Sequence, residues 1–282
     1  MSVRFLTGAD GATAALHDLG GDGPPLLLTH GNGLNVGMWA TVVPTLRAQF
    51  HCYGLDFRGH GASPTHDDTM SVDRGHFVEE VFAAVQAIGG GPIVAAGHSL
   101  GAVTLLRAEL SRPGTFPALW VFEPVLVPPE VGADRAPTML IEASRRRRME
   151  FDSVQDAVTR FSSKPPYAQC EPAAVQAYVE VGTYPLEDGR VRLSCSGEIE
   201  ARIYESNERR PLGELAPIKA AVVVAAGAVV AMGNDLPPMV APLIANALGN
   251  GRLEVFDGLT HFGPMENGPV VAAAIIEHLA PR

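Results

Sequence analysis

Short, uninterrupted apolar runs recur along this chain at residues 25–29, 51–55, 92–96, 118–122, 221–226 and 253–256. Runs of this length, apolar at consecutive positions, are what a strand buried on both faces of a parallel sheet needs. Two earlier runs, residues 4–6 and 13–17, flank Gly8-Ala9-Asp10-Gly11, whose Asp-Gly pair marks a hairpin turn. Between the runs the period changes to that of a helix. Residues 72–88 place Phe77, Val81, Phe82 and Val85 on one stripe, and residues 38–49, 100–110, 238–248 and 269–279 read as helices too. Strands alternating with helices predict an α/β fold with a mostly parallel sheet wrapped on both faces. From Pro124 to Leu215 the alternation stops. Helices are predicted there at residues 138–149, 154–161 (with Ser153 as N-cap) and 173–181 (with Pro172 in the first turn), forming a helical insertion over the sheet.

Composition narrows the partners. Apolar residues make up 46% and charged residues 18%, enough for a sizeable core, and the formal charge is −10. That acidity repels phosphate backbones and anionic lipid, so a small-molecule substrate is expected, with neither nucleic acid nor membrane as a partner. The run Arg145-Arg146-Arg147-Arg148 is an exception and reads as the solvated face of a helix. Cys52, Cys170 and Cys195 lack metal or redox spacing and read as reduced packing residues. The chain has no basic-then-apolar leader, and its best apolar stretch, residues 220–232, is shorter than the roughly 18 residues a membrane span requires, so a cytoplasmic location is expected.

Three motifs carry chemistry. Gly97-His98-Ser99-Leu100-Gly101 fits G-x-S-x-G between a buried strand and a helix, a sharp turn that projects a serine hydroxyl above the sheet. His30-Gly31-Asn32-Gly33 follows the run at residues 25–29, and the N–H of Asn32 together with that of Leu100 could form an oxyanion hole. His30 itself reads as a structural ring. His261 lies in a loop after the run at residues 253–256, at the strand edge where Ser99 also lies, and is the expected base. His60, His66, His76, His98 and His278 lack that combination and read as surface or packing residues. The carboxylate that orients the base has two candidates. Glu123, at the end of the run at residues 118–122, would be costly to bury without a partner, and Asp235 is the alternative. Asp56 is set aside because Arg58 beside it suggests a structural ion pair.

Taken in order, His30-Gly31-Asn32-Gly33, Trp39, Asp56-x-Arg58-Gly59-His60-Gly61-x-Ser63, Gly97-His98-Ser99-Leu100-Gly101 and His261-Phe262 resemble the α/β-hydrolase superfamily over nearly the whole chain. The resemblance implies an eight-stranded, mostly parallel sheet with helices on both faces. It also implies a nucleophile after strand five, a histidine after strand eight and a cap inserted after strand six, giving a core at residues 1–124 and 214–282 and a helical cap at 125–213. The family commonly takes its acid after strand seven, in a pattern like Gly-x-x-Asp. Gly227-Ala228-Val229-Val230 carries no carboxylate there, whereas Glu123 occupies the place, after strand six, that haloalkane dehalogenases use.

The nucleophile type then selects the reaction. Dehalogenases and epoxide hydrolases of this fold carry Asp at the elbow and form an alkyl ester that water can cleave. Serine attacking an alkyl carbon would leave an ether, so Ser99 restricts the chain to carbonyl electrophiles. A serine esterase with a Ser99–His261–acid triad and no metal or organic cofactor is the expected activity. The alternatives are a carbon–carbon bond hydrolase of a ring-fission diketone and a non-catalytic small-molecule receptor. Met139, Phe151, Phe161, Tyr167, Tyr178 and Tyr184 are candidates for a partly apolar substrate wall, although at helical spacing they equally serve cap packing.

Overall fold

Alternate side chains of each central strand go to opposite layers, and this sorting builds the molecule. The computed structural model describes residues 2–8, 10–63, 65, 67–131, 138–206, 209–231 and 234–281; His66 and Met232 of the sequence reading lie outside them. Eight strands form one sheet: β1 (Ser2–Thr7), β2 (Thr13–Gly20), β3 (Pro25–Thr29), β4 (His51–Asp56), β5 (Val94–His98), β6 (Ala118–Phe122) and, beyond a long insert, β10 (Ala221–Gly227) and β11 (Gly251–Phe256). Their order is β1-β2-β4-β3-β5-β6-β10-β11. Pairing is antiparallel for β1 with β2 and β2 with β4, and parallel throughout the rest.

Leu27, Ala95, Leu119, Val121, Val222 and Val224 face one layer, where helices α2 (Arg74–Ile88), α3 (Leu100–Ser111) and α8 (Leu236–Ala247) supply Phe77, Val81, Leu105, Val240 and Ile244. Leu26, Leu28, Ala96, Trp120, Phe122, Val223 and Ala225 face the other, against α1 (Val43–Leu46) and α10 (Gly268–Leu279), which supply Val43, Leu46, Val271 and Ile275. Burial on both faces explains why these strands read as continuous apolar runs.

The helix expected at residues 38–49 is broken. A 3₁₀ turn at Val36–Trp39, capped by the Asn35 side chain, precedes the short α1. Pro44 has no N–H to donate back, so it sits in the first turn of α1 and a longer helix cannot run through it.

The insert between β6 and β10 carries helices α4 (Thr138–Arg145), α5 (Val154–Ser162), α6 (Pro172–Val181) and α7 (Gly197–Glu205). It is not wholly helical as expected: β7 (Glu150–Phe151), β8 (Thr183–Pro185) and β9 (Val191–Leu193) form a small antiparallel sheet in the order β7-β9-β8. Helix α4 accordingly stops at Arg145, since Met149 accepts a hydrogen bond from Leu193 N at 2.9 Å and the chain is already extended. Helix α7 was not anticipated; Ser196 caps it by accepting from Ile199 N at 3.1 Å. A short helix, α9 (Gly263–Glu266), leads into α10. Among the described residues no helix is long and apolar enough to cross a membrane.

Candidate active site

Parallel strands β3, β5, β6 and β11 end at one edge of the sheet, and Asn32, Ser99, Glu123 and His261 follow their ends. Ser99 joins β5 to α3 at φ 50° and ψ −109°. A non-glycine residue in that region costs on the order of 1–3 kcal/mol and persists only where its surroundings over-determine it. The surroundings here are tight. A Cβ at Gly97 would stand 2.7 Å from Thr29 Oγ1, and one at Gly101 only 2.5 Å from the same atom. Ser99 N donates to Phe122 O at 2.9 Å, so the turn is also tied to β6.

The turn after β3 lies directly against it. Gly101 N donates to His30 O at 3.0 Å, and a Cβ on Gly31 would be 3.3 Å from the Cβ of Ser99. Leu100 heads α3, where an N–H has no acceptor within the helix, and Asn32 is in the neighbouring turn. His30 is the structural ring expected: Nδ1 donates to Gly31 O at 2.8 Å while Nε2 accepts from Phe57 N at 3.1 Å.

Glu123 follows β6 at φ 43° and is completely buried. Both oxygens are engaged: Oε2 lies 2.6 Å from His261 Nδ1, and Oε1 accepts from Gly227 N at 3.0 Å. An ionised Glu123 fixes the proton on Nδ1 and leaves Nε2 of His261 as the basic nitrogen. Asp235 instead heads α8, where its carbonyl accepts from Met239 N. The structure therefore pairs His261 with Glu123.

No hydrogen bond joins Ser99 Oγ to the His261 ring. His98, next to Ser99, ties the elbow to the His261 loop: its Nε2 donates to the backbone carbonyl of His261 at 2.7 Å, with the rings 4.6 Å apart. His98 is 1% exposed, and burial, reinforced by His261, drives its pKa well below the ordinary histidine range. A neutral ring with its proton on Nε2 suits that donation. Sequence reasoning gave His98 only a surface or packing role. Its position as the x of the elbow was the available signal.

Arg58 does not pair with Asp56: it bonds Glu80 and Asp10, while Asp56 holds His17 at 2.8 Å and Val36 N at 2.7 Å. Nor is the arginine run uniformly solvated. Arg145, Arg146 and Arg148 form exposed pairs with Glu198, Glu142 and Asp156, but the Arg147 side chain is only 16% exposed and bonds Glu200 and Tyr178 inside the insert.

An aromatic series continues from His261. Phe262 lies edge-on to His261, Tyr167 edge-on to Phe262, and Tyr178 is stacked on Tyr167 at 5.2 Å, with Phe161 against both tyrosines. Phe151 packs on Phe161. Met139, a candidate wall residue, is instead 84% exposed because α4 turns it outward to solvent.

Known proteins resemble this chain in sequence and in fold. The model of the Alpha/beta hydrolase family matches residues 26–274. The (E)-2-((N-methylformamido)methylene)succinate hydrolase of Acinetobacter baylyi is 31% identical over 94 residues, 33% of this chain and 35% of that protein. A pimeloyl-[acyl-carrier protein] methyl ester esterase of Xanthomonas campestris is 36% identical over 96 residues, 34% of this chain and 35% of the relative. The matched segment thus spans about a third of each relative's length. The solved structure of E-2-(acetamidomethylene)succinate hydrolase superposes with a TM-score of 0.81 at 17% identity, covering 98% of both chains.

Proposed function

Because the chain belongs to the alpha/beta hydrolase family, we propose that it is a serine hydrolase cleaving a carboxylic ester or related acyl compound. The observation that carries the reading is the 2.6 Å bond from His261 to a completely buried Glu123, one strand away from a serine held at φ 50°. In this mechanism His261 Nε2 takes the Ser99 proton as Oγ adds to the carbonyl carbon. The tetrahedral oxyanion is stabilised by the Asn32 and Leu100 amides, each such donor typically contributing about 3 kcal/mol. His261 returns the proton to the leaving group as the bond to it breaks, which gives the acyl-enzyme. Water deprotonated by His261 then releases the acid and restores Ser99. The insert, as a cap, limits substrate size, and Phe262 and Tyr167 place apolar rings beside His261. The methyl ester esterase name of the Xanthomonas relative favours an ester over a diketone. Three free, buried cysteines suit a reducing compartment, and on that basis we assign the protein to the cytoplasm.

The test is covalent. A fluorophosphonate probe should label the protein, and p-nitrophenyl acetate should give a burst of one equivalent, both lost in Ser99→Ala. Labelling that persists in Ser99→Ala would remove Ser99 as the nucleophile, and a wild-type protein that neither labels nor turns over acyl substrates would leave a receptor on the same fold.

A further inference from the structure

The turn that carries Asn32 is gripped from the insert as well as from the sheet. On the sheet side, His60 Nε2 accepts from Gly33 N at 3.1 Å, and the same ring donates from Nδ1 to Arg58 O at 2.9 Å. On the insert side, Tyr178 of α6 donates its hydroxyl proton to Gly33 O at 3.1 Å, and Asn32 Nδ2 donates to the Glu200 carbonyl of α7 at 2.9 Å. The Glu200 carboxyl lies on the turn itself. A Cβ at Gly33, whose φ is +70°, would stand 2.8 Å from Glu200 Cδ. Arg147 then closes the set, bonding the Glu200 carboxylate with Nη1 and the Tyr178 hydroxyl with Nη2, the latter at 3.2 Å. A carboxylate beside an oxyanion-forming turn opposes the charge that must develop there, unless a cation cancels it. Burial works against the Arg147 charge, but Glu200, together with Tyr178, Tyr167 and Cys195, more than offsets it and raises the guanidinium pKa, so Arg147 stays protonated. The side chains of Arg147 and Glu200 are 16% and 14% exposed, so solvent screens the pair little.

We propose that Arg147 and Tyr178 are positioning residues: a clamp through which the insert fixes the turn at residues 30–33, with Arg147 neutralising the Glu200 carboxylate that touches it. The catalytic consequence rests on Asn32 acting as an oxyanion donor. The clamp itself does not.

Two measurements separate these. Backbone hydrogen exchange of the peptide covering residues 30–35 should speed up about tenfold in Tyr178→Phe, which keeps the stacked ring but loses the hydroxyl, with the melting temperature held within a few degrees. Unchanged exchange there overturns the clamp whether or not the protein is an enzyme. With p-nitrophenyl acetate, Arg147→Met should lower kcat about 100-fold with KM within threefold. Glu200→Gln should stay within about threefold, and the double variant should recover at least tenfold over Arg147→Met. Recovery marks the uncompensated carboxylate as the cause. An Arg147→Met loss that the double variant does not recover, or that appears only in KM, overturns the neutralising role. Accelerated exchange without any fluorophosphonate labelling of the wild-type protein would instead uphold the clamp and sink the hydrolase reading.

Discussion

Glu123 carries two constraints in one residue: a left-handed backbone and a carboxylate with both oxygens engaged. Its replacement by Gln is therefore diagnostic. The amide oxygen can still accept from Gly227 N, but the amide nitrogen would then face His261 Nδ1 and force the proton onto Nε2. That tautomer cannot take a proton from Ser99. Glu123→Gln should lower kcat by about 10⁴ with little change in melting temperature, while Asp235→Asn stays within about threefold; steady-state rates beside thermal melts check both. Glu123 was open to sequence reading because a carboxylate at the end of an apolar strand needs a partner. Arg147 was not, because four consecutive arginines look alike in sequence. Only the register of the turn after α4 decides which one points inward.

Among elements, the central strands were legible because burial on both faces writes a contiguous apolar run. The starts of α3 and α10 were legible from their glycine and proline signals. The strands of the insert, two or three residues each, are too short to show a period. Helix α7 was overlooked although Ser196, Glu198, Ile199 and Ile203 supply a cap, an acidic first turn and an apolar stripe. The link between β10 and the His261 loop can be tested as a unit. A Cβ on Gly227 would stand 2.2 Å from Leu259 O and 2.6 Å from Leu259 C, so Gly227→Ala must displace the backbone that leads to His261. Overpacking of this kind typically costs about 1–3 kcal/mol. The variant should melt several degrees lower and lose at least tenfold in kcat, measured by calorimetry and ester hydrolysis.

Across the whole molecule, His30, His60 and His98 are held neutral by burial, with His60 pushed down to about 3. The unfolded chain titrates its histidines near 6.5. The native state thus binds fewer protons than the unfolded one below that pH. The contribution of these rings to stability is complete above pH 6.5 and is lost as pH falls from there toward each ring's own depressed pKa, about 3 for His60. Three rings give a slope of up to about 4 kcal/mol per pH unit. Urea titrations between pH 7 and 5 should show the midpoint falling, with proton uptake on unfolding; His60→Gln should flatten the slope by about one proton. A midpoint independent of pH over that interval would show that the three rings titrate alike in both states.

Glu123 and His261 meet across 138 residues of sequence, with the whole insert between them. Their meeting requires β10 to dock beside β6 and β11 beside β10. On a ribosome Ser99 and the turn at residues 30–33 emerge early, while His261 comes only after the last strand. On the proposed mechanism, a half-made chain therefore exposes a serine with nothing to activate it, and reactivity switches on only once the sheet is complete.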